Sequence, residues 1–340
     1  MIKYLGSKRT LVPQIARIVR GLPIESAADL FAGTTRVGQA LRRLGLHVVS
    51  NDLASYSEPF GRAYVERSEQ GRIPELLDRL RGAEPLRGYV TATFCEASRY
   101  FRPENGMRID GIRAALDELD LDPVEWGTLL TALLEAADRV DSTVGVQMAY
   151  LKEWAPRAWQ ALELREPAVC TGPPGEVVRL DANELARGLD GVDLAYLDPP
   201  YNQHSYFSNY HVWETIVRGD APEHYGTACK RLDCRTTKSR YNSRRDAWAA
   251  FADLVAALPT PWLVVSFSDE GFHDPADVRG LLAQRGYVGV AGFDARRYVG
   301  ARIGIHNPRG EKVGTVGRLR NREFLFVVGP DRSAVESALA

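Results

Sequence analysis

The chain has 340 residues, of which 45% are apolar and 26% are charged, and its formal net charge is −1. These values are ordinary for a globular protein, and they argue against a disordered chain and against a uniformly basic nucleic-acid binder. No run approaches the roughly 18 apolar residues of a membrane-spanning helix. The N-terminal stretch MIKYLGSKRT also lacks the apolar core of a secretory signal. We therefore expect a soluble intracellular protein without a membrane partner.

The cysteines do not indicate a metal site or a disulfide framework, and the charges are unevenly distributed along the chain. The four cysteines contain no C-x-x-C pair; they are Cys95, Cys170, Cys229 and Cys234. Reduced thiols are expected, and no bound metal. The charge is unevenly distributed, because residues 230–245 and 296–322 are strongly basic and 110–141 is strongly acidic. Such runs are often only solvated faces, but basic ones also suit a polyanion.

Short apolar runs alternate with helical patterns along the chain, which is typical of an α/β sheet. Strands are predicted at 27–31, 47–52, 176–181, 194–198, 262–268, 287–293 and 323–328. Helices are predicted at 36–44, 205–217, 246–258 and 275–285. The last two strands have no helix between them, so we expect that pair to be antiparallel.

The alternation breaks between residues 53 and 174. This stretch has few strand-like runs, and residues 124–140, VEWGTLLTALLEAADRV, repeat apolar side chains at the spacing of one helical face. Three prolines, Pro167, Pro173 and Pro174, mark the return to the sheet. We interpret 55–169 as a helical insertion domain, and 1–54 plus 170–340 as the domain that carries the sheet.

A glycine-containing turn follows the first strand, in the segment ADLFAGTTRVG at 28–38. Asp52 ends the next strand about twenty residues later, the spacing by which an α/β sheet offers a helix N-terminus and a ribose-binding carboxylate to a ligand. The glycines do not match G-x-G-x-x-G, so a dinucleotide pyrophosphate has no proper cradle. A nucleoside cofactor without phosphates would still fit.

The segment LAYLDPPYNQHSYFSNYH at 194–211 runs an apolar strand into an acid, two prolines and a tyrosine. Because two successive prolines remove two backbone donors and fix two φ angles, strand pairing has to stop at Asp198. Asp198 and the Pro199 carbonyl are then held as adjacent acceptors beside Tyr201. Together with Asp52 and Asp181, Asp198 lies at the carboxyl end of a predicted strand, the sheet edge where ligands bind.

DPPY at 198–201, DLFAG at 29–33 and KYLGSK at 3–8 resemble motifs of the S-adenosylmethionine-dependent DNA adenine-N6 methyltransferases, specifically the D12 class. Further stretches are similar to one bacterial branch that includes type IIS modification enzymes: RYFRPENGMRIDGIR at 99–113, EAADRVDSTVGVQMAYLKEWAPRA at 135–158, NYHVWET at 209–215, IGIHNPRGEKVG at 303–314 and NREFLFVV at 321–328. The resemblance implies a Rossmann-like, seven-stranded methyltransferase sheet with bound S-adenosylmethionine. It also implies double-stranded DNA as the partner, in the cytoplasm of a bacterium and near its nucleoid.

The resemblance assigns cofactor contacts to individual residues. These are Lys3, Tyr4, Gly6 and Lys8 for the methionine end, Asp29, Phe31 and Gly33 for the turn beneath it, Asp52 for the ribose hydroxyls and Asp181 for the adenine amino group. Thr35 departs from the pattern, because many relatives have Gly there and a threonine disfavours positive φ. We expect either a locally different turn or a looser cofactor site.

The DPPY segment suits the chemistry of methyl transfer to an amine. The adenine N6 is a poor nucleophile because its lone pair is conjugated into the ring, and acceptors aimed at its two hydrogens favour a more tetrahedral nitrogen. We expect Asp198 and Pro199 to supply these acceptors, Pro200 to stiffen them, and Tyr201 to stack on an adenine rotated out of the duplex. Tyr206 and Tyr210 are on the following helix, and we expect them to pack against the sheet.

The basic segments fit phosphate contacts, which give affinity without sequence information and weaken steeply with salt. The residues expected to make them are Lys230, Arg231, Arg235, Lys238, Arg240, Arg318 and Arg320. We expect base reading from the helical insertion together with these loops. A cognate restriction endonuclease would be a separate protein, because the methyltransferase features occupy nearly the whole chain.

Some features of the sequence are also compatible with activities other than adenine-N6 methylation of DNA. Cytosine-N4 methylation uses the same amine chemistry, although its enzymes more often carry Ser in place of Asp198. Cytosine-C5 methylation is disfavoured, because it needs a cysteine nucleophile, usually after a proline, and the chain has no Pro-Cys pair. The intact Asp29, Asp52 and Asp198 disfavour a catalytically silent DNA-binding or specificity subunit. RNA stays open as a substrate, since single-stranded bases are easier to extrude.

Overall fold

The structure is a computed structural model, and it describes residues 2–296, 305–306, 312–314 and 320–340. Its strands are β1 (Ser26–Asp29), β2 (His47–Asn51), β3 (Glu176–Val178), β4 (Leu194–Leu197), β5 (His224–Tyr225), β6 (Lys230–Arg231), β7 (Trp262–Ser268), β8 (Tyr287–Arg296), β9 (Ile305–His306), β10 (Lys312–Gly314) and β11 (Arg320–Gly329). Its helices are α1 (Val12–Arg20), α2 (Arg36–Arg43), α3 (Ser57–Gly61), α4 (Ile73–Arg81), α5 (Pro103–Asp117), α6 (Pro123–Val140), α7 (Ala182–Ala186), α8 (Tyr206–Asn209), α9 (His211–Arg218), α10 (Ala247–Ala257), α11 (Pro275–Leu282) and α12 (Arg332–Leu339).

Seven strands form one mixed sheet in the order β3-β2-β1-β4-β7-β11-β8. The pairs β2–β3, β1–β4 and β4–β7 are parallel, whereas β11 runs antiparallel to both β7 and β8. The short strands β5 with β6, and β9 with β10, form two further antiparallel pairs. The predicted α/β fold with seven strands and an antiparallel final pair is therefore confirmed.

The strand bounds follow from burial and from local hydrogen bonds. All of β4 and β7 is buried, which explains their purely apolar or small-residue sequences. β4 ends at Leu197, so Asp198 follows directly where the prolines predict the end of pairing. β3 is shorter than predicted, because beyond it the Asn51 side chain takes over: Nδ2 donates to the Leu180 carbonyl and Oδ1 accepts from the Leu180 N–H. Asp181 therefore lies beyond the strand.

The predicted helices are present, although one of them is split in two. The structure also contains several helices that were not predicted. The helix predicted at 205–217 is interrupted at Tyr210, whose φ of −127° is not helical, and becomes α8 and α9. The helix predicted at 124–140 is α6, which begins with a capping box between Asp122 and Glu125. α1 and α12 were not predicted. α6 packs against α3, α4 and α5 and forms the centre of the helical insertion.

The chain divides into two compact units. Unit 1 comprises Met1–Tyr4, Ala32–Asp181 and Ser205–Lys238, and unit 2 comprises Leu5–Phe31, Ala182–His204 and Ser239–Ala340. Both predicted boundaries of the insertion, 55 and 169, fall within unit 1. A separate recognition domain at 55–169 thus stays a prediction.

Three further features concern membrane-spanning helices, metal-binding groups and cysteines. None of the helices that the structure describes combines the length and apolar character needed to span a bilayer. Across the described residues, no group of three or more His, Cys, Asp or Glu side chains is arranged to hold a metal. All four cysteines are buried free thiols.

Candidate active site

Asp198 is paired with a lysine from the N-terminal segment. Lys8 Nζ lies 3.0 Å from Asp198 Oδ1, and the two side chains are 7% and 17% exposed. Burial raises the pKa of Asp198, and the Lys8 ammonium opposes that shift. The Asp198 carboxylate is thus a nearly dry hydrogen-bond acceptor, with one cation holding one of its oxygens.

Tyr201 lies beside this ion pair. Lys8 Nζ is 5.7 Å from the Tyr201 ring centroid, and the ring of Phe267 on β7 lies 5.7 Å from it at an angle of 53°. The N–H of Phe272 donates to the Tyr201 carbonyl at 2.8 Å. These contacts fix the backbone and one side of the ring, while the side chain stays half-buried. The structure therefore brings Asp198, Lys8 and Tyr201 together.

The loop that follows Tyr201 is tied down by an asparagine of the basic segment. Asn242 Nδ2 donates to the Asn202 carbonyl at 2.8 Å and to the His204 carbonyl at 3.0 Å. Sequence reasoning missed Asn242, because a side chain that clamps a distant loop leaves no local pattern. It holds the chain just beyond the DPPY segment.

A second carboxylate lies near Lys8. Glu323 on β11 has Oε2 3.8 Å from Lys8 Nζ, and its side chain is 10% exposed. The stretch NREFLFVV contains Glu323, but no pattern in it assigns that residue a role. Its approach to Lys8 is visible only in three dimensions.

The glycine turn closes against Tyr4. Gly33 has a φ of +51°, and a Cβ there would lie 2.9 Å from Tyr4 Cε1. Gly33 N donates to Asp52 Oδ2 at 2.8 Å, and Ala54 N donates to Asp52 Oδ1 at 2.9 Å. Burial raises the pKa of Asp52, and these backbone donors oppose the shift. Only glycine fits both the backbone conformation and the contact with Tyr4.

Tyr4 belongs to a stack of aromatic rings. Its ring centroid lies 5.5 Å from that of Tyr206 and 4.7 Å from that of Tyr210, and Tyr210 in turn lies 4.6 Å from Trp213. The hydroxyls of Tyr4 and Tyr56 are 2.9 Å apart. Tyr206 and Tyr210 thus pack on Tyr4, a partner that the sequence analysis did not identify.

The residues around the glycine turn fit the adenosine part of a cofactor. Each oxygen of Asp52 accepts one backbone N–H, and a carboxylate oxygen can accept a further hydrogen bond from a ribose hydroxyl. The Tyr4 ring, stacked on Tyr206 and Tyr210, lies against Gly33 and lines the turn. These groups suit a nucleoside that lacks phosphates.

Thr35 adopts the left-handed backbone at the position where the resemblance leads us to expect glycine. Its φ of 59° and ψ of 20° are left-handed, and the residue is fully buried. Thr35 N donates to the Ala32 carbonyl at 2.7 Å, and Gln39 Nε2 donates to Thr35 Oγ1 at 3.1 Å. Both expected outcomes, a locally different turn or a looser cofactor site, stay predictions.

The remaining residues assigned to the cofactor have varied surroundings. Lys3 Nζ lies 3.1 Å from Asp138 Oδ2 and 3.4 Å from Asp141 Oδ1, so its ammonium is already paired. Gly6 has a φ of +70°. Asp29 is buried, and Phe31 packs edge-on against Tyr241 at 5.2 Å.

Among the residues assigned to phosphate contacts, Arg231 has to be corrected. It is 1% exposed, with Nη1 2.6 Å from Asp220 Oδ1 and Nη2 2.9 Å from Asp233 Oδ2. A guanidinium that is buried and doubly paired cannot reach a phosphate, so that prediction is wrong.

The other phosphate-contact residues fall into two groups. Arg235, Lys238 and Arg240 are exposed, and Lys230 is half-buried on β6. Arg318 lies outside the described residues. Arg320 begins β11, but its side chain lies outside them too.

Comparison with known proteins identifies the family. Residues 4–258 match the model of the D12 class N6 adenine-specific DNA methyltransferases. The chain is 30% identical over 312 residues to the type II methyltransferase M.NlaIII of Neisseria lactamica, covering 87% of this chain and 92% of that protein. It is 30% identical to the modification methylase LlaI of Lactococcus lactis and 31% identical to the type II methyltransferase M.FokI of Planomicrobium okeanokoites, over 87% and 84% of this chain. It spans about half the length of these two relatives, 51% and 47%. The chain therefore belongs to the D12 class of N6 adenine-specific DNA methyltransferases, which confirms the prediction of a site-specific, S-adenosylmethionine-dependent enzyme that methylates adenine N6 in DNA.

Proposed function

We propose that Asp198 and the Pro199 carbonyl accept hydrogen bonds from the two N6 hydrogens of a target adenine, and that Tyr201 stacks on its ring. The observation that carries this proposal is the Lys8–Asp198 pair, in which the ammonium contacts Oδ1 at 3.0 Å. The second oxygen of the carboxylate can then take the hydrogen of the amine. Pro199 and Pro200 keep both acceptors in place, because their φ angles are fixed.

The two acceptors stabilise the transition state of methyl transfer more than they stabilise the ground state. As the nitrogen becomes tetrahedral, its N–H groups become more acidic and their hydrogen bonds to Asp198 and Pro199 strengthen, which lowers the barrier to transfer. When the N–C bond has formed, N6 has to lose one proton, and the Asp198 carboxylate is positioned to take it. Bound S-adenosylmethionine supplies the electrophilic methyl group.

The residues that would hold the cofactor are those around the glycine turn. Asp52 would accept hydrogen bonds from the ribose hydroxyls, the backbone at Gly33 would allow close approach, and Tyr4 would line the site beside Gly33. Asp181 would take the adenine amino group, as the resemblance implies. The support for this part is the geometry of the Gly33–Asp52 hydrogen bond and of the Tyr4 ring.

Exposed cations would bind the phosphates of double-stranded DNA. The residues that we propose for this role are Lys230, Arg235, Lys238 and Arg240, with Arg320 and Arg318 assigned by sequence alone. Arg235 rests on the ring of Tyr225 with its guanidinium carbon 4.2 Å from the centroid. Stacking on that ring limits the freedom of the Arg235 side chain and keeps its charge at the surface.

The helical insertion at 55–169 would take part in target recognition. Trp159 is 63% exposed, and the guanidinium of Arg102 lies 3.6 Å from its ring centroid. Arg99 stacks in the same manner on Trp154, at 4.7 Å. Neighbouring indole and guanidinium groups at a surface suit contacts with both bases and phosphates.

The named relatives are type II and modification methyltransferases, which favours a place in a restriction-modification system. We propose that this enzyme marks chromosomal DNA at its recognition sequence in a bacterial cytoplasm, near the nucleoid. A cognate endonuclease would then be a separate protein.

Replacing Asp198 by alanine tests the catalytic assignment. We expect the rate of methyl transfer to fall by a factor of about 10² to 10³ or more, by analogy with the loss of one preorganised transition-state partner. Binding of S-adenosylmethionine, measured by calorimetry, should stay within a few fold. The readout is labelled-methyl incorporation followed by digestion to nucleosides, which separates N6-methyladenine from N4-methylcytosine.

The matched control is Asp277→Ala, which removes an exposed carboxylate of α11 and should leave the rate unchanged. Strong residual transfer by Asp198→Ala would refute the role of Asp198. A wild-type protein that leaves every DNA unmarked would instead support the catalytically silent alternative.

A further inference from the structure

Two carboxylates share one buried ammonium in unit 2. Lys8 Nζ lies 3.0 Å from Asp198 Oδ1 and 3.8 Å from Glu323 Oε2. All three side chains are at most 17% exposed. With every group ionised the cluster carries one net negative charge, which is an expensive arrangement to bury unless it serves a purpose.

Glu323 is held in place by its own neighbours. Asn321 Nδ2 donates to Glu323 Oε1 at 3.0 Å and to Ser268 Oγ at 3.1 Å. Glu323 and Ser268 are directly paired residues of β11 and β7. The carboxylate is thus fixed by the sheet on one side, and its second oxygen faces Lys8.

The charges around Glu323 oppose one another. Burial raises the pKa of Glu323, the negative charges of Asp198 and Glu270 raise it further, and the Lys8 ammonium lowers it. The phenols of Tyr201 and Tyr196 also face these charges: burial raises both pKa values well above the usual value, helped by Glu323 and Asp198 at Tyr201 and by Asp198 at Tyr196. Glu323 and Asp198 therefore compete for the same cation.

We propose that Glu323 is a positioning residue for methyl transfer: by sharing the Lys8 ammonium, it keeps Asp198 a stronger acceptor than a fully paired carboxylate would be. This inference rests on the proposed role of Asp198. An ammonium engaged by one carboxylate alone withdraws more charge from it, and the strength of a hydrogen-bond acceptor follows its basicity. Glu323 also prevents Lys8 from moving towards the oxygen that the amine needs.

Replacing Glu323 by glutamine removes the charge and keeps the shape, and the amide oxygen can still accept from Asn321. We expect kcat to fall roughly 10-fold, with the KM values for S-adenosylmethionine and DNA unchanged. Because a like charge is removed, the pKa of Asp198 should fall, and the acid limb of the kcat profile should move to lower pH by about one pH unit. Glu323→Asp keeps the charge, so its acid limb should stay close to that of the wild type.

A merely structural role would lower kcat without moving the acid limb, and that result would overturn the inference. An unchanged kcat in Glu323→Gln would overturn it as well. The matched control is Glu270→Gln, which removes a nearby carboxylate while leaving Lys8, Asp198 and Glu323 in place, and its kcat should stay within about twofold.

The wild type separates the inference from the proposed function. If the wild type does not methylate adenine, the proposed function fails; if it does and Glu323→Gln matches it, only the inference fails. Should Glu323→Gln not fold, Asn321→Ala releases the carboxylate with its charge intact. That variant should lower kcat a few fold and move the acid limb part of the way that Glu323→Gln moves it, because a released Glu323 shares Lys8 less well; a wild-type kcat or an unmoved acid limb would overturn the inference.

Discussion

Replacing Gly33 by alanine probes the glycine turn through a contact that the structure defines. The backbone at Gly33 has a φ of +51°, and the new Cβ would lie 2.9 Å from Tyr4 Cε1 and 3.0 Å from Tyr4 Oη. The Tyr4 ring cannot retreat easily, because it is stacked on Tyr210 at 4.7 Å. The variant therefore meets both backbone strain and a steric clash.

The two contributions can be separated with a matched control. Gly71 has nearly the same φ, +52°, and a Cβ there would meet nothing within 4 Å. Gly71→Ala should cost only the left-handed strain, about 1–2 kcal/mol of unfolding free energy. Gly33→Ala should cost that amount and a further 1–3 kcal/mol or so for the overpacked contact, which gives about 2–5 kcal/mol in total.

Urea unfolding followed by circular dichroism measures both losses. We expect Gly33→Ala to lose more stability than Gly71→Ala and, unlike it, to bind S-adenosylmethionine more weakly. In a Tyr4→Leu background, Gly33→Ala should cost less than it does in the wild type, because the shorter side chain leaves room for the Cβ. Equal losses in the two alanine variants would refute the reasoning, since the Tyr4 contact would then add nothing.

Two other expectations follow from buried charges. Burial raises the pKa of Asp138 from its usual 3.8 to about 6, with Lys3 opposing. A raised carboxyl pKa favours the protonated folded form, so this stabilisation is complete below about pH 4 and is lost as pH rises through 6, a change of about 3 kcal/mol. In Asp138→Asn the unfolding free energy, measured by urea titration at several pH values between 4 and 6, should depend less on pH than in the wild type. Arg235→Ala or Lys238→Ala should weaken binding to all DNA sequences and reduce the salt slope by about one each in anisotropy titrations. Arg231→Ala should leave that slope unchanged and lower the unfolding free energy by about 1–3 kcal/mol, because two carboxylates lose their partner.

The parts of the fold that the sequence predicts well are set by local chemistry. The end of β4 at Leu197 follows from two prolines, and the start of α6 follows from a capping box and a regular apolar face. The antiparallel final pair follows from the missing helix between its strands. In each case a few neighbouring residues determine the structure. α1 and α12 are as long as the predicted α2 and α11, but they lie before the first strand and after the last one, outside the alternation of strands and helices from which the other helices were predicted.

The parts that the sequence does not predict depend on contacts between distant segments. Lys8 meets Asp198 and Glu323, which lie far along the chain, and nothing near Lys8 marks it as one half of an ion pair. For Arg231 the sequence suggests a role that the fold removes. Its basic neighbourhood suggests phosphate binding, yet two acids from the folded chain bury its charge. A sequence shows how many cations a segment has, but not which of them the fold has already neutralised.

Thr35 lies between these two cases, because the sequence shows a departure whose consequence only the structure decides. A left-handed threonine costs about 1–2 kcal/mol relative to a relaxed backbone. The hydrogen bonds around it, from Thr35 N to the Ala32 carbonyl and from Gln39 N to the Thr35 carbonyl, impose the turn whatever the side chain is. The bond from Gln39 Nε2 to Thr35 Oγ1, unavailable to a glycine, offsets about 0.5–1.5 kcal/mol of that strain. The start of α2 therefore determines the backbone at Thr35, and the threonine side chain adapts to it.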